Sequence, residues 1–242
     1  VERRAGRGHP EDGGPGGYHH LGVATSAQWA GVTGRMTVRD AAVRAGSWDF
    51  LATRFMAKRH VAGGEVFWLE AGWAETGWSG DGRQRVYTYD TNGRAWRFYD
   101  DYALRDGQQI WIGLHSDGDI GLHSDGATGL HSDGDRWQAW LWWDDRWNLL
   151  SAQHLPTGRT AQIEQYVEVH VDRADPVPLS VPPVNLDNVQ LRDPDRDRLR
   201  YWRAGQVATT PTRTTDDGYC LDWTTRYDTW SAGDCPEGPR QP

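Results

Sequence analysis

The chain has 242 residues, of which 15 are Trp, nine Tyr and four Phe, while Leu, Ile, Val and Phe together supply only 40. So small an aliphatic share is common in disordered chains, but disorder also calls for few aromatics and a large net charge; here aromatic rings, each able to bury roughly 150–250 Å², stand in for the missing aliphatic core. A net charge of -8 lacks the basic footprint that nucleic acid or an anionic membrane surface requires, and no stretch approaches the roughly 20 apolar residues that cross a bilayer.

Residues 1–17, VERRAGRGHPEDGGPGG, are Gly, Pro and charge without periodicity, which predicts a disordered leader. From Tyr18 to Asp172 the pattern changes to short alternating runs rich in β-branched and aromatic residues: GRMTVRDAAV, SWDFLATRFMAKRHV, EVFWLEAGWAE, RQRVYTYDT, RAWRFYD, QQIWIGLH, RWQAWLWWDDRWNLL and AQIEQYVEVHV. GDG at 80–82, TNG at 91–93 and RDG at 105–107 mark the breaks. About eight strands at this spacing predict an all-β fold, an antiparallel β-sandwich or jelly roll, over residues 18–172. The segment TSAQWAGVTG at 25–34 reads as a short helix.

Residues 113–136 repeat an eight-residue unit beginning GLHSDG three times. Without two of the units the text is an ordinary hairpin with Asp-Gly at its tip, so the segment reads as a loop lengthened at little entropic cost. His115, His123 and His131, with Asp117, Asp125 and Asp133, offer metal donors, yet their spacing matches neither a calcium loop nor a zinc site. No metal and no cofactor is expected.

The Pro-rich stretch 173–188 cannot form a central strand and reads as a linker or strap. Residues 189–242 follow as a small C-terminal β appendage, in which Cys220 and Cys235 are placed to form one disulfide. Closing a loop of about 15 residues is worth roughly 3 kcal/mol, and a disulfide implies an oxidising compartment, hence a secreted, extracellular protein.

No phosphate loop, dinucleotide fingerprint, GxSxG elbow or HExxH helix is present. Carboxylates on strands remain. Alternation places Glu70 with Trp68 and Gly72, opposite Phe67, Leu69 and Ala71. It also places Glu164, Tyr166, Glu168 and His170 on one face of the 161–171 strand, opposite the aliphatic Ile163, Val167 and Val169. Two carboxylates on one bent sheet face, among rings, can split roles, one raised in pKa by apolar walls and the other ionised. Trp68, Trp73 and Trp78 are expected as walls beside Glu70, and Trp68, Trp73 and Tyr166 as substrate-binding residues.

The segment FWLEAGWAETGWSGDGRQRVYTYDTNGRAW resembles the neprosin-like glutamic peptidases through Glu70-Ala71-Gly72-Trp73, Gly80-Asp81 and Arg85-Val86-Tyr87-Thr88-Tyr89. This resemblance implies a β-sandwich and a catalytic Glu pair, with Glu70 first and either Glu168 or Glu164 second, Glu168 preferred. The expected activity is acid-active peptide hydrolysis on a polypeptide substrate, by a monomer. Two other classes fit the same residues. One is a jelly-roll glycoside hydrolase, whose carboxyl groups would stand about 5–5.5 Å apart if retaining and 6.5–9.5 Å if inverting. The other is a non-catalytic polysaccharide binder using the 137–147 segment, where Trp140 and Trp142 share a face, Trp143 lies opposite, and Trp137 and Trp147 sit near strand ends.

Overall fold

The computed structural model describes residues 3–5, 17–117, 136–156, 158–195, 198–210, 214–216 and 218–236. His123, His131, Asp125 and Asp133 of the repeats, and most of the proposed leader, lie outside these. The described residues form strands and turns without a helix.

Seven antiparallel strands make one sheet. They are β1 (Arg3–Ala5), β2 (Gly17–Trp29), β4 (Phe50–His60), β5 (Val66–Thr76), β6 (Gln84–Asp90), β7 (Ala95–Tyr99) and β11 (Ala161–Val171), in the order β1-β7-β6-β5-β4-β11-β2. The second sheet comprises β3 (Gly31–Thr37), β8 (Gln109–Ser116), β9 (Arg136–Trp143), β10 (Arg146–His154), β12 (Val184–Arg192), β13 (Leu199–Tyr201), β14 (Thr215–Asp216), β15 (Tyr219–Thr225) and β16 (Thr229–Asp234). Its order is β10-β9-β8-β3-β12-β16-β15-β14, with β13 also on β12. The chain is an all-β sandwich of two antiparallel sheets.

The helix expected at 25–34 does not form. Trp29 and Gln28 pair with Ala161 and Gln162 as the end of β2, Ala30 is a bend, and Gly31 pairs with His115 at the start of β3. The segment is the crossing from one sheet to the other, and two long strand pairings outweigh a weak local preference of Ala and Gln for helix.

The core between the sheets follows the alternation. Leu69 and Ala71 of β5 and Ile163, Val167 and Val169 of β11 point into it, against Ile112, Leu114, Trp137 and Leu141 from the second sheet. The four largest fully buried side chains are all Trp: 73, 137, 202 and 230. Buried indole nitrogens need acceptors, and Trp137 donates to the Gly158 carbonyl, Trp202 to Thr209 Oγ1 and Trp230 to Gln165 Oε1. Trp202 and Trp230 belong to the C-terminal quarter of the chain, so that segment shares the sandwich core, and the stretch expected as a linker up to residue 188 instead enters the central strand β12 at Val184, past its last proline, where it pairs with β3 and β16.

The β15–β16 hairpin is tied by the Cys220–Cys235 disulfide. Replacing both cysteines by Ser is expected to lower unfolding free energy by about 3 kcal/mol in urea titrations, with the far-ultraviolet β signature retained.

Candidate active site

The outer face of the seven-stranded sheet carries a second aromatic layer, with Phe50, Tyr87 and Phe98 buried and Tyr18, Trp78, Tyr89 and Trp96 packed around them. Within this layer lies a group of buried charges. Arg54 of β4 pairs in register with Gly72 of β5 on one side and Tyr166 of β11 on the other. Two residues along the neighbouring strands, at the diagonal positions that long side chains reach, stand Glu70, Glu164 and Glu168. Gly72 has no room for a side chain, because a Cβ would meet the Thr53 carbonyl oxygen of the adjacent strand at 1.8 Å. Strand alternation and this glycine leave the guanidinium surrounded by carboxylates.

Arg54 Nε lies 3.2 Å from Glu70 Oε2 and 3.1 Å from Glu168 Oε2, and Nη1 lies 3.5 Å from Glu164 Oε2. Lys58 Nζ donates to Glu164 Oε1 at 2.7 Å, and His20 Nε2 stands 3.2 Å from Glu168 Oε1. The Tyr166 ring lies 5.4 Å from the guanidinium carbon. The Arg54 side chain is only 3% exposed, and all three glutamates are buried. Among the described residues, no group of three or more His, Cys, Asp or Glu is placed to hold a metal ion; the space between the three glutamates is filled by Arg54.

Burial in this site separates the glutamates. It pushes the Glu70 carboxyl up to about 8; Arg54 pulls it back in part, and the Glu168 and Glu164 charges add to the rise. Burial also works against charge on Glu164, but Arg54 and then Lys58 outweigh it and hold that carboxyl below the usual range. Arg54 loses from burial and gains more from Glu70, Glu168 and Glu164, so it is held protonated more firmly than an ordinary arginine. Tyr166 is raised to about 12 by burial and by Glu164. One face thus holds a carboxylic acid that keeps its proton near neutrality beside a carboxylate that does not.

The alternation placed Glu70, Glu164, Glu168 and Tyr166 on this face, and all four are there. Trp68 shares it, half-buried, its ring stacked on Tyr89 with centroids 5.8 Å apart. Trp73 does not. It lies three residues from Glu70, so its parity is that of Leu69 and Ala71, and its ring is fully buried between the sheets; it is a core residue and not a wall of the site. Trp78 packs on Phe50 and Trp96 farther along the outer face. Composition and motif spacing single out neither Arg54 nor His20. A signal for Arg54 exists in FLATRFMAKRH, where an arginine stands at mid-strand on the parity opposite Phe55 and Ala57.

No family model matches the chain, and no curated protein matches it by sequence. The neprosin-like resemblance therefore has no support at that level. Among solved structures the chain is similar to scytalido-glutamic peptidase, crystallised with a transition-state analogue inhibitor. The TM-score is 0.52 at 11% identity, over 88% of this chain and 97% of that one. The chain shares the overall fold of that enzyme.

Two consequences are measurable. Replacing Arg54 by Met strands three buried carboxylates without their shared cation, and should cost about 3–5 kcal/mol at pH 7. In urea titrations the loss should shrink at pH 4, where the glutamates can take up protons. Glu70 keeps its proton when folded and loses it near pH 4.5 when unfolded. Its contribution to stability is therefore present in acid and is lost as pH rises from about 4.5 through about 8. The unfolding midpoint of Glu70→Gln should lack that part of the decline.

Proposed function

We propose that this protein is a secreted glutamic-type endopeptidase that acts as a monomer on polypeptides, with Glu70 and Glu168 as its catalytic pair. The observation that carries the reading is that Glu70 and Glu168 both bear on one atom, Arg54 Nε, at 3.2 and 3.1 Å. Their two nearest oxygens cannot be farther apart than the sum of those distances. Both carboxyl groups therefore face the same guanidinium nitrogen, close enough for the charge of one to act on the other, an arrangement in which two carboxylates can divide into acid and base. Similarity of fold to a glutamic peptidase supports peptide over glycoside hydrolysis, and the Cys220–Cys235 disulfide supports an extracellular setting.

In this mechanism Glu168, as carboxylate, takes a proton from water as the oxygen attacks the scissile carbonyl carbon. Glu70, as acid, donates a hydrogen bond to the carbonyl oxygen as negative charge develops there, and the Arg54 cation offsets that charge in a site shielded from water. When the C–N bond breaks, Glu70 gives its proton to the leaving nitrogen. The proton on Glu168 then returns to Glu70, which restores the pair and leaves a carboxylic acid and an amine. Glu164, held by Lys58 and Arg54, orients the guanidinium. The half-buried rings of Tyr89, paired with Glu70 across the strands, and of Tyr166, between Glu164 and Glu168, flank the pair, and Trp68 stacks on Tyr89.

Cleavage of denatured casein should be measured between pH 3 and 9, with a soluble polysaccharide as the competing substrate. Activity should extend from acid toward neutrality and fall as pH approaches about 8, where Glu70 loses its proton. Glu70→Gln and Glu168→Gln should each lower kcat by about 10²–10⁴-fold, and Glu164→Gln by less. Casein cleavage indifferent to Glu70→Gln would overturn the assignment, and cleavage of the polysaccharide alone would make the pair a glycosidase site.

A further inference from the structure

The outer face of the second sheet carries a different site. Seven large hydrophobic side chains are exposed among the described residues, and five of them, Trp142, Trp147, Leu149, Leu199 and Tyr201, belong to β9, β10 and β13 of that sheet. Single exposed apolar residues are ordinary, but a concentration on one face marks a binding surface. Here it borders a cavity of about 440 Å³, within the range of small-molecule sites.

The cavity is lined by Trp140, Trp147, His115, Gly113, Thr33 and Arg192, with Leu199 at its edge. Gly113 pairs with Trp140 on one side and Thr33 on the other, so the glycine forms part of its floor. A Cβ on Gly113 would touch the Trp147 ring at 3.6 Å, which shows how closely that ring overlies the bare backbone. The Trp140 ring lies nearly parallel to His115, at 11° with centroids 6.0 Å apart, and Trp147 stands edge-on to Trp142. The result is a walled cleft lined by two indoles, Trp147 being 42% exposed and Trp140 half-buried.

The charge on this face indicates what fits. Arg35 is held bidentately by Asp187 at 2.7 and 2.9 Å, Arg200 by Asp193 at 2.8 Å, and Arg136 faces Asp117 at 3.5 Å. Cations already neutralised at short range do not recruit a polyanion. The rings also alternate with hydrogen-bonding groups. Trp140 Nε1 donates to Gln138 Oε1, Gln138 Nε2 donates to Asp117, and Thr33 and Arg192 line the opposite wall. A purely apolar partner would have to strip water from these groups without replacing its hydrogen bonds. A pyranose offers an apolar C–H face for the indoles and a rim of hydroxyls for the imidazole of His115, the hydroxyl of Thr33 and the guanidinium of Arg192.

We propose that this cleft binds a neutral glycan, with sugar rings seated on Trp147 and Trp140 and hydroxyls directed at His115, Thr33 and Arg192. The site lies on the opposite sheet from Glu70 and does not depend on the peptidase reading. It would hold the protein on a polysaccharide matrix while the other face works.

The test is affinity electrophoresis of the full chain in native gels containing xylan, mixed-linkage β-glucan or glycol chitin, with polygalacturonate as the anionic comparison. The protein should be retarded by at least one neutral polymer and not selectively by polygalacturonate. Trp147→Ala and Trp140→Ala should each weaken the apparent Kd about tenfold or more, the usual effect of removing a buried aromatic anchor. Trp48→Ala, an exposed Trp outside this sheet, and Glu70→Gln should bind as the parent does. Absence of retardation in every neutral gel, or retardation that survives Trp147→Ala, would overturn the proposal. Loss of retardation in Glu70→Gln would place the sugar on the other face and overturn it too. A dimer in sedimentation that Trp147→Ala dissociates, without glycan binding, would make the face a contact between copies instead.

Discussion

Arg54 is the constraint around which the seven-stranded sheet is organised. A guanidinium that stays protonated and is almost wholly removed from water is tolerable only if carboxylates compensate it, and a sheet can bring them only from adjacent strands at fixed positions. Glu70 reaches it from β5, and Glu164 and Glu168 reach it from β11. Three carboxylates around one cation would over-compensate the charge; Lys58 contributes a second cation, and Glu70 keeps its proton. The same electrostatic balance that permits burial of the arginine leaves Glu70 holding its proton while Glu164 is held ionised.

Burial of this cluster depends in turn on the aromatic layer around it. Phe50, Tyr87 and Phe98, with Trp96 and Trp78 packed against them, cover an outer sheet face that would ordinarily be wet. Their rings lower the local dielectric and so raise Glu70. On the inner face Trp73 and Trp137 fill the space between the sheets, and on the far outer face Trp142 and Trp147 stay in contact with solvent. Tryptophan therefore serves three layers of one sandwich in three ways: as core filling, as the shield of a charged site, and as an open platform.

Much of this architecture is written in the local pattern. Period-two alternation assigned Leu69 and Ala71 to the core and Trp68 and Glu70 to the other face, because strand geometry leaves a side chain no third option. The same rule, carried one step further, assigns Trp73 to the core; nearness to Glu70 in the chain is not nearness on a face. At 25–34 the local text favoured a helix, and pairing with β11 and β8, distant segments of the chain, decided otherwise.

The amino-acid sequence by itself determined the all-β class, the aromatic replacement of an aliphatic core, the parity of each glutamate and the single cysteine pair, all of which follow from composition and nearest-neighbour geometry. Only the tertiary structure decided that β4 lies between β5 and β11, and hence that Arg54 sits among Glu70, Glu164 and Glu168. Strand order arises from contacts between distant segments, and a buried arginine reads in the chain like any other polar residue until its partners are brought beside it. The cleft over Gly113 was decided the same way, because a glycine becomes a floor only when the strands on either side supply the walls.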